Sequence, residues 1–452
     1  MLIKNLLYIF QSEYYIVRRF LKYVYTHFNW WNLEKREKLD WTLKSKLIFI
    51  TSWILVLVIF ILSVYKFGWF GLLSLIFLII FLPLIILISF YLFFLPDLIL
   101  KKRIMKLANK KLNNIKIVKI GITGSYGKTS TKEILYTILS SKFKVLKTPD
   151  NVNTDIGVAQ FVLNNLKDED ILIVEMGAFK KGEIKKICKI VEPDYSILTG
   201  INESHLDRFG SLENIIKTKF ELPEMTKKIS VLNMDDNNIR DNYKQFNIKE
   251  SILKSLKDVE QINLKDDFQG LSFKYKDVEF ETKLLAQHNI SLILLCIELS
   301  IHLGVDLETI KSFVYKLEHI PHRLQPIYNS ISGVWVIDDS YNANKASVRS
   351  GIEVLNRAKG RKIVLTPGPI VELGDKAKEI HLKIGELYAD NVDLVLLIKS
   401  KETSFVEEGL KKKQFTNYKF YKTTEEAHND LKNILSKGDT ILFQNDWTDV
   451  YF

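Results

Sequence analysis

Two long uncharged stretches dominate the first quarter of the chain, residues 47–65 and 67–96, with only Lys66 between them. A bilayer core takes about 20 apolar residues per helix. Hydrocarbon offers backbone N–H and C=O groups no partner, so a spanning segment satisfies them internally. The pattern predicts two spanning helices joined by a tight turn near Lys66-Phe67-Gly68. A soluble core helix rarely runs so long without a charge, and a signal peptide would start earlier and be shorter. Residues 1–46 mix aromatic and basic side chains (Tyr14, Tyr15, Arg18, Arg19, Phe20, Tyr23, Trp30, Trp31). That composition suits an interfacial amphipathic segment at the level of the headgroups; a solvated leader is the alternative.

Beyond a basic linker at 97–115 the pattern changes. Apolar strand-like runs at 115–122, 171–174 and 195–199 alternate with helical stretches such as 131–140. A second set follows, with strands expected at 362–365, 392–398 and 440–443 and helices at 376–390 and 424–435. Alternation of this kind predicts an α/β fold with mostly parallel sheets. The expected division is 1–46, 47–96, 97–115, a central domain at 116–320 and a C-terminal Rossmann-like α/β domain at 321–452.

Composition sharpens this in two ways. The 452 residues are 47% hydrophobic and 26% charged, which excludes disorder. The net charge of +11 is uneven: residues 1–120 hold 18 Lys+Arg against 5 Asp+Glu, and the rest is nearly neutral. A basic excess confined to the apolar end fits a membrane surface better than nucleic acid, so no nucleic-acid partner is expected. Lys35, Arg36, Lys38, Lys44 and Lys46 precede the first span, and Lys101, Lys102, Arg103, Lys106, Lys110 and Lys111 follow the second. Both flanks should be cytoplasmic, making a two-span protein of the inner membrane with its other domains in the cytoplasm. Two spans with no charge inside them offer no transport path. Cys188 and Cys296 alone make neither a disulfide framework nor a cysteine metal cluster.

The chemistry begins where the first α/β strand ends. Thr123-Gly124-Ser125-Tyr126-Gly127-Lys128-Thr129-Ser130 stands between that strand and a helix. In such a loop the backbone N–H groups of Gly124, Ser125 and Gly127 and the helix N-terminus surround phosphate oxygens; Lys128 adds a mobile positive charge, and Thr129 offers a hydroxyl to Mg²⁺. A strict Walker A would want glycine at Ile122. ATP binding is expected, within a P-loop-type central ATPase domain. Glu175 ends an apolar strand where an open α/β sheet places ligands, which suits a metal ligand or a plain cap. His205 and Lys219 alone would read as an ordinary loop histidine and a surface lysine. The pair Asp338-Asp339 could be a strand-end turn, and Asn342 and Asn344 could be helix caps.

Taken together, the loop with its following Ser-Thr-Lys-Glu, Val174-Glu175-Met176-Gly177, Asn202-Glu203-Ser204-His205, His288-Asn289, His322-Arg323 and Asp338-Asp339-Ser340-Tyr341-Asn342-Ala343-Asn344 resemble the Mur ligases, the ATP-dependent amide ligases of cell-wall peptide synthesis. The last string, with Glu372-Leu373-Gly374 and His381, is most similar to the branch that adds D-alanyl-D-alanine to a muramoyl tripeptide. The resemblance covers about residues 116–452. It implies ATP and two Mg²⁺ ions, with Thr129, Glu175, His205 and a carbamylated Lys219 as metal ligands. It also implies Lys128, Ser130, Asn289 and Arg323 on the nucleotide, Asp339 in catalysis, and Asn342, Asn344 and Glu372 toward substrate. Its partners would be a cell-wall peptide precursor, an amino acid or dipeptide amine, and other wall-synthesis enzymes.

The sequence departs from the family at informative places. The family's usual first domain grips a uridine diphosphate sugar, and here that region is apolar. This points to an acceptor that is lipid-linked or presented at a membrane. Leu292 stands where the adenine-side motif carries a second Asn, Lys345 where a Pro is usual, and Gln444-Asn445-Asp446 where the family has Lys-Gly-Ser. The last change falls where the amine should bind. A related ligase of polyglutamate or of an archaeal wall peptide is therefore a second reading, and a nucleotide-binding scaffold of a wall-synthesis complex a third.

Overall fold

A computed structural model of the chain describes residues 2–13, 15–27, 30, 39–341, 343–366, 370 and 373–445. Residues up to Ile104 make one compact unit and residues from Met105 onward a second.

In the first unit, α1 (Leu2–Ser12) and α2 (Val17–Thr26) precede α3 (Leu43–Phe67), α4 (Ser74–Ile80) and α5 (Leu82–Asn113). The long helices are long and apolar enough to cross a membrane. The chain reverses at Gly68, whose φ of +55° suits glycine, and Gly71 packs so closely on the Val64 backbone that a side chain would not fit. The Ser52 and Ser89 hydroxyls meet at 3.0 Å between the two arms. Near the open end Lys44 reaches Asp97 at 3.2 Å and lies over the Tyr15 and Phe90 rings. The two short N-terminal helices behave differently. α1, apolar on nearly every side, buries Leu6, Leu7, Ile9 and Phe10 in one cluster with Ile48, Ile85 and Ile86; α2 buries Phe20 and Tyr23 and leaves Arg18 and Lys22 outside.

The second unit is α/β. β1 (Val118–Thr123), β2 (Val145–Lys147), β3 (Ile171–Met176), β4 (Tyr195–Leu198), β5 (Ile229–Asn233) and β6 (Ser251–Lys254) form one sheet in the order β2-β3-β1-β4-β5-β6, parallel throughout. Every residue of β3 is buried, as expected of a strand covered on both faces. Among its helices are α6 (Lys128–Leu139), α7 (Asp155–Asn165), α8 (Glu183–Val191), α9 (Leu206–Phe209) and α10 (Leu212–Met225). The end of α5 packs here too: Lys111 Nζ donates to the carbonyls of Val162 and Leu163 at the end of α7, and Asn109 to those of Lys189 and Ile190 in α8. These carbonyls lie in the last turns of their helices, where the backbone leaves acceptors over; Val162 O accepts from Leu166 N as well.

The alternating pattern did not announce β7 (Glu260–Leu264), β8 (Leu271–Tyr275) and β9 (Val278–Thr282), a small antiparallel sheet. The last sheet is mixed. β10 (Gln325–Asn329), β11 (Val334–Asp339), β12 (Lys362–Thr366), β13 (Leu394–Ile398), β14 (Tyr418–Tyr421) and β15 (Thr440–Gln444) run in the order β10-β11-β15-β12-β13-β14, with only β10 antiparallel. Phe268, Leu285 and Ala286, which precede this sheet in the chain, are buried in its core beside Ile337 and Leu355.

Candidate active site

The site lies at the C-terminal ends of β1, β3 and β4, where an open parallel sheet holds ligands. Four residues separate β1 from α6, and Gly127 at φ +75° makes the left-handed turn into the helix. The loop is held from behind. Ser125 N donates to Gly200 O at 2.7 Å, and Thr199 Oγ1 donates to Tyr126 O. Tyr126 OH donates to Asp236 Oδ2 at 2.7 Å, and Asp236 also accepts from the backbone N–H groups of Ile201 and Ile239. A Cβ at Gly124 would overlap Thr199 Oγ1, and one at Gly200 would overlap the Tyr126 ring. Gly200→Ala is expected to cost about 1–3 kcal/mol of stability by overpacking and to weaken ADP binding, read by calorimetry and thermal unfolding; unchanged ADP affinity would show that the loop does not depend on this support.

Lys128, half-buried, donates from Nζ to Gly124 O at 2.8 Å. Burial pulls its pKa down; Arg323 adds to this and Glu175 opposes it. Thr129 Oγ1 donates to Glu175 Oε2 at 3.1 Å, and Arg323 Nη2 comes to 3.5 Å from the same hydroxyl. Glu175 is only 4% exposed. Its backbone N–H is held by Thr148 Oγ1 at 3.0 Å, Asn153 Nδ2 stands 3.4 Å from Oε1, and the buried Lys132 ammonium lies 3.3 Å from Oε2. Lys132 in turn pairs with Asp150 at 2.9 Å. The neighbouring hydroxyl and carboxylate of Thr129 and Glu175 are hard oxygen donors, the kind Mg²⁺ takes together with phosphate oxygens and water. Among the described residues no three His, Cys, Asp or Glu side chains form a ready-made metal cage.

Lys219 comes from α10 and is 4% exposed. Burial first, and the charge of Lys128 second, push its pKa down to about 7 against the pull of Glu183, Glu221 and Glu175. Glu221 and Glu183 are occupied in holding the start of α8 and the turn before it: Glu221 accepts from Gly182 N and Lys185 N, and Glu183 from Phe179 N and Lys180 N. His205 follows β4 at φ +61°, immediately before α9, with its ring edge-on to Phe179 at 4.9 Å. That places it in the segment after β4 that also holds the phosphate loop.

A cavity of about 260 Å³ opens beside the loop, lined by Gly127, Ser130, Asn289, Arg323, Asp339 and Tyr341 among others. His288, pushed down to about 4 by burial, sits with Nδ1 3.1 Å from Ser350 Oγ. Arg323 stacks over the Tyr341 ring at 4.6 Å, and Tyr341 OH donates to Asn151 Oδ1 at 2.9 Å. Asp339 ends β11; burial raises its carboxyl to about 7 although Arg323 pulls it back. Asn344 accepts from Ala346 N and Ser347 N at 2.9 and 3.1 Å, so it caps the helix Lys345–Leu355 while also lining the cavity. Asn342 and Glu372 lie outside the described residues.

The structure thus brings Lys128, Thr129, Glu175 and Arg323 together, with Lys219 in the electrostatic field of Lys128. Lys132 enters the sequence reading only within the Ser-Thr-Lys-Glu string and without a role, though it lies one turn after Lys128 on α6 and helical spacing alone could have raised it. The reading passed over Asp236, Tyr341 as the support of Arg323, and a buried chain in which Tyr388 OH donates to Gln444 Oε1 at 2.8 Å and stands 3.0 Å from Thr366 Oγ1. No local motif announces those.

Residues 122–300 match the Mur ligase middle domain, and residues 322–444 match the Mur ligase glutamate ligase domain. The UDP-N-acetylmuramoyl-tripeptide–D-alanyl-D-alanine ligase of Bacillus subtilis (strain 168) is 30% identical over 347 residues, 75% of this chain and 76% of that protein. The ligase of the same description from Escherichia coli (strain K12) is 32% identical over 62% of this chain and 64% of its own length. Among solved structures, MurF ligase from Thermotoga maritima in complex with ADP superposes with a TM-score of 0.68 at 30% identity, covering 76% of this chain and 80% of that one. A pseudomurein peptide ligase type C from Methanothermus fervidus, at 21% identity and a TM-score of 0.57, shares the fold over 73% of this chain. With both domain matches in sequence order and this identity over three quarters of a relative, the chain belongs to the Mur ligase family.

Proposed function

We propose that this chain is an ATP-dependent amide ligase of cell-wall precursor synthesis that activates a peptide carboxylate and joins it to D-alanyl-D-alanine. The observation that carries the reading is the cluster of Lys128, Thr129, Glu175 and Arg323 at the end of β1 and β3. The names of the relatives from B. subtilis and E. coli supply the substrates.

A carboxylate is a poor acyl donor because oxide would have to leave. Transfer of the γ-phosphoryl group of ATP onto the carboxylate oxygen gives an acyl phosphate and ADP. The amine then attacks the acyl carbon, phosphate leaves and a proton is released. Phosphoryl transfer is helped mainly by positioning and charge neutralisation. In this scheme the N–H groups of Gly124, Ser125 and Gly127 and the start of α6, with Ser130, hold phosphate oxygens, and Lys128 leaves Gly124 O for the β/γ-phosphates. Thr129 and Glu175 would hold one Mg²⁺, and His205 with a carbamylated Lys219 would hold a second; such ions would offset phosphate charge and help orient the carboxylate. Arg323, braced by Tyr341, reaches the transferring group from the far side of the cavity, and Asn289 borders the nucleotide base. Asp339, beside Arg323 and near neutrality, orients the incoming amine, with Asn342, Asn344 and Glu372 on the same side.

The hairpin α3–α5 spans the membrane with both ends in the cytoplasm, and the acceptor is presented at that surface. The supporting observation is a broad exposed apolar face, including Ile50, Trp53, Leu57, Leu62, Leu84, Leu92 and Leu95, which water would not tolerate. Deleting residues 1–104 keeps the Asn109 and Lys111 contacts with α7 and α8. That variant is expected to retain ADP release with a soluble tripeptide acceptor and to lose use of membrane-derived acceptor; equal use of both would refute membrane presentation. The whole reading is tested by mass spectrometry of full-length protein with ATP, Mg²⁺ and a panel of wall precursors and amines. D-alanyl-D-alanine is expected in the product. Another amine there would favour the second ligase reading, for which Gln444-Asn445 is the motivating departure, and ATP binding without any amide product would leave a scaffold.

A further inference from the structure

The open end of the hairpin carries cations that make no ion pair with an acid among the described residues. Of the acids described in this unit, Glu13 is buried and paired with Arg19 at 2.5 Å, and Asp97 is held between Lys44 and Lys101 at 3.2 and 3.0 Å. Asp40 has its backbone clamped by the Gln11 amide, at 2.8 and 2.9 Å. Lys4, Arg18, Lys22, Lys46, Lys102 and Arg103 are exposed and make no ion pair among the described residues.

Contacts bring these cations to the same end of the hairpin: Lys4 stands 6.0 Å from the Trp41 ring, just before α3, and Arg18 and Lys22 lie on α2, which begins two residues after Tyr15. The Lys44–Asp97 contact aligns the start of α3 with the place where α5 leaves its apolar stretch, which puts Lys46 half a turn inside that line and Lys102 and Arg103 just outside it. Lys44 over the Tyr15 ring, at 4.4 Å, ties the corner between α1 and α2 to the same line. The exposed apolar surface begins there, with Leu43 70% and Ile50 54% exposed. When that surface lies among acyl chains, the cations stand at the depth of lipid phosphates, where each basic residue gains about 1 kcal/mol from an acidic surface.

We propose that Lys4, Arg18, Lys22, Lys46, Lys102 and Arg103 form a collar that binds the phosphates of anionic lipids, so that the enzyme gathers an acidic annulus around its hairpin. This rests on the reading of the hairpin as membrane-spanning. Binding is electrostatic and exposed, so salt weakens it.

The test uses full-length protein in phosphatidylcholine vesicles. Five of its seven tryptophans (Trp30, Trp31, Trp41, Trp53, Trp69) fall within the first 104 residues. Their emission is followed as brominated phosphatidylglycerol or brominated phosphatidylcholine is introduced. Brominated phosphatidylglycerol is expected to quench with about fivefold higher apparent affinity. That preference should shrink in 0.5 M NaCl and vanish when the six residues are changed to Gln. Equal affinity for the two lipids, or a preference unmoved by both salt and the substitutions, overturns the collar while leaving the span intact. Absence of quenching by either lipid overturns the spanning reading, and the collar with it. The salt arm needs no variant, so it decides even if the sixfold variant fails to fold.

Discussion

Lys128→Ala is expected to lower kcat by about 10³-fold or more, the scale on which a single group neutralising charge in a transferring phosphoryl contributes. The reasoning is local. Lys128 Nζ is parked 2.8 Å from Gly124 O, within the loop that its own helix closes. Burial already disfavours its charge, so a phosphate anion is the partner that restores it. Loss of the ammonium should remove more of the transition-state interaction than of ground-state binding. ADP release should therefore collapse while ADP affinity, measured by calorimetry, falls far less. A variant retaining a tenth of the activity would place the phosphates elsewhere.

Lys219→Ala is expected to abolish measurable amide formation, again by about 10³-fold or more, and bicarbonate should restore none of it. In the unaltered enzyme the pH dependence carries the diagnosis. A pKa of about 7 leaves roughly half of the amine neutral at pH 7 and about a tenth at pH 6. Only the neutral amine takes up CO₂, so activity should fall as pH drops from 8 to 6, and added bicarbonate should move the midpoint downward. The sign follows from burial, which lowers an ammonium pKa. Activity indifferent to bicarbonate, together with an active Lys219→Ala, would remove the carbamate from the scheme.

Much of this site could be read in the sequence, because its parts are contiguous and chemically marked. The Gly124–Gly127 loop had to lie between a strand and a helix, and it does. Glu175 stood at the end of an uninterrupted apolar run, and such a run in a parallel sheet ends in the crevice. What escaped the sequence was held by distance along the chain. Lys132 reads as one more lysine of a basic protein until folding buries it between Asp150 and Glu175. Tyr341 looks like a spacer in an Asn-rich string until its ring appears under Arg323. The antiparallel β7–β9 sheet was legible but not read: β8 and β9 alternate cleanly, with Leu271, Phe273, Tyr275 and Phe280 inward against Lys274, Glu279 and Glu281, about a Lys276-Asp277 turn, yet no chemical motif draws attention to them. Residues 1–46 read as a single interfacial segment, and that reading does not single out the separate apolar run Leu6-Leu7-Tyr8-Ile9-Phe10, which α1 packs against Ile48, Ile85 and Ile86.

The burial of Phe268, Leu285 and Ala286 in the core of the final sheet has a kinetic side. Tyr341, which lines the cavity, is bonded to Asn151, and Arg357 Nη2 donates to Leu285 O at 2.7 Å outside that lining, so the halves of the second unit are fastened to each other at two places. Any opening of that cavity for nucleotide exchange would have to part the Tyr341–Asn151 bond. Substitutions at Phe268 that loosen this core would accordingly be expected to speed nucleotide exchange, read by stopped-flow ADP release.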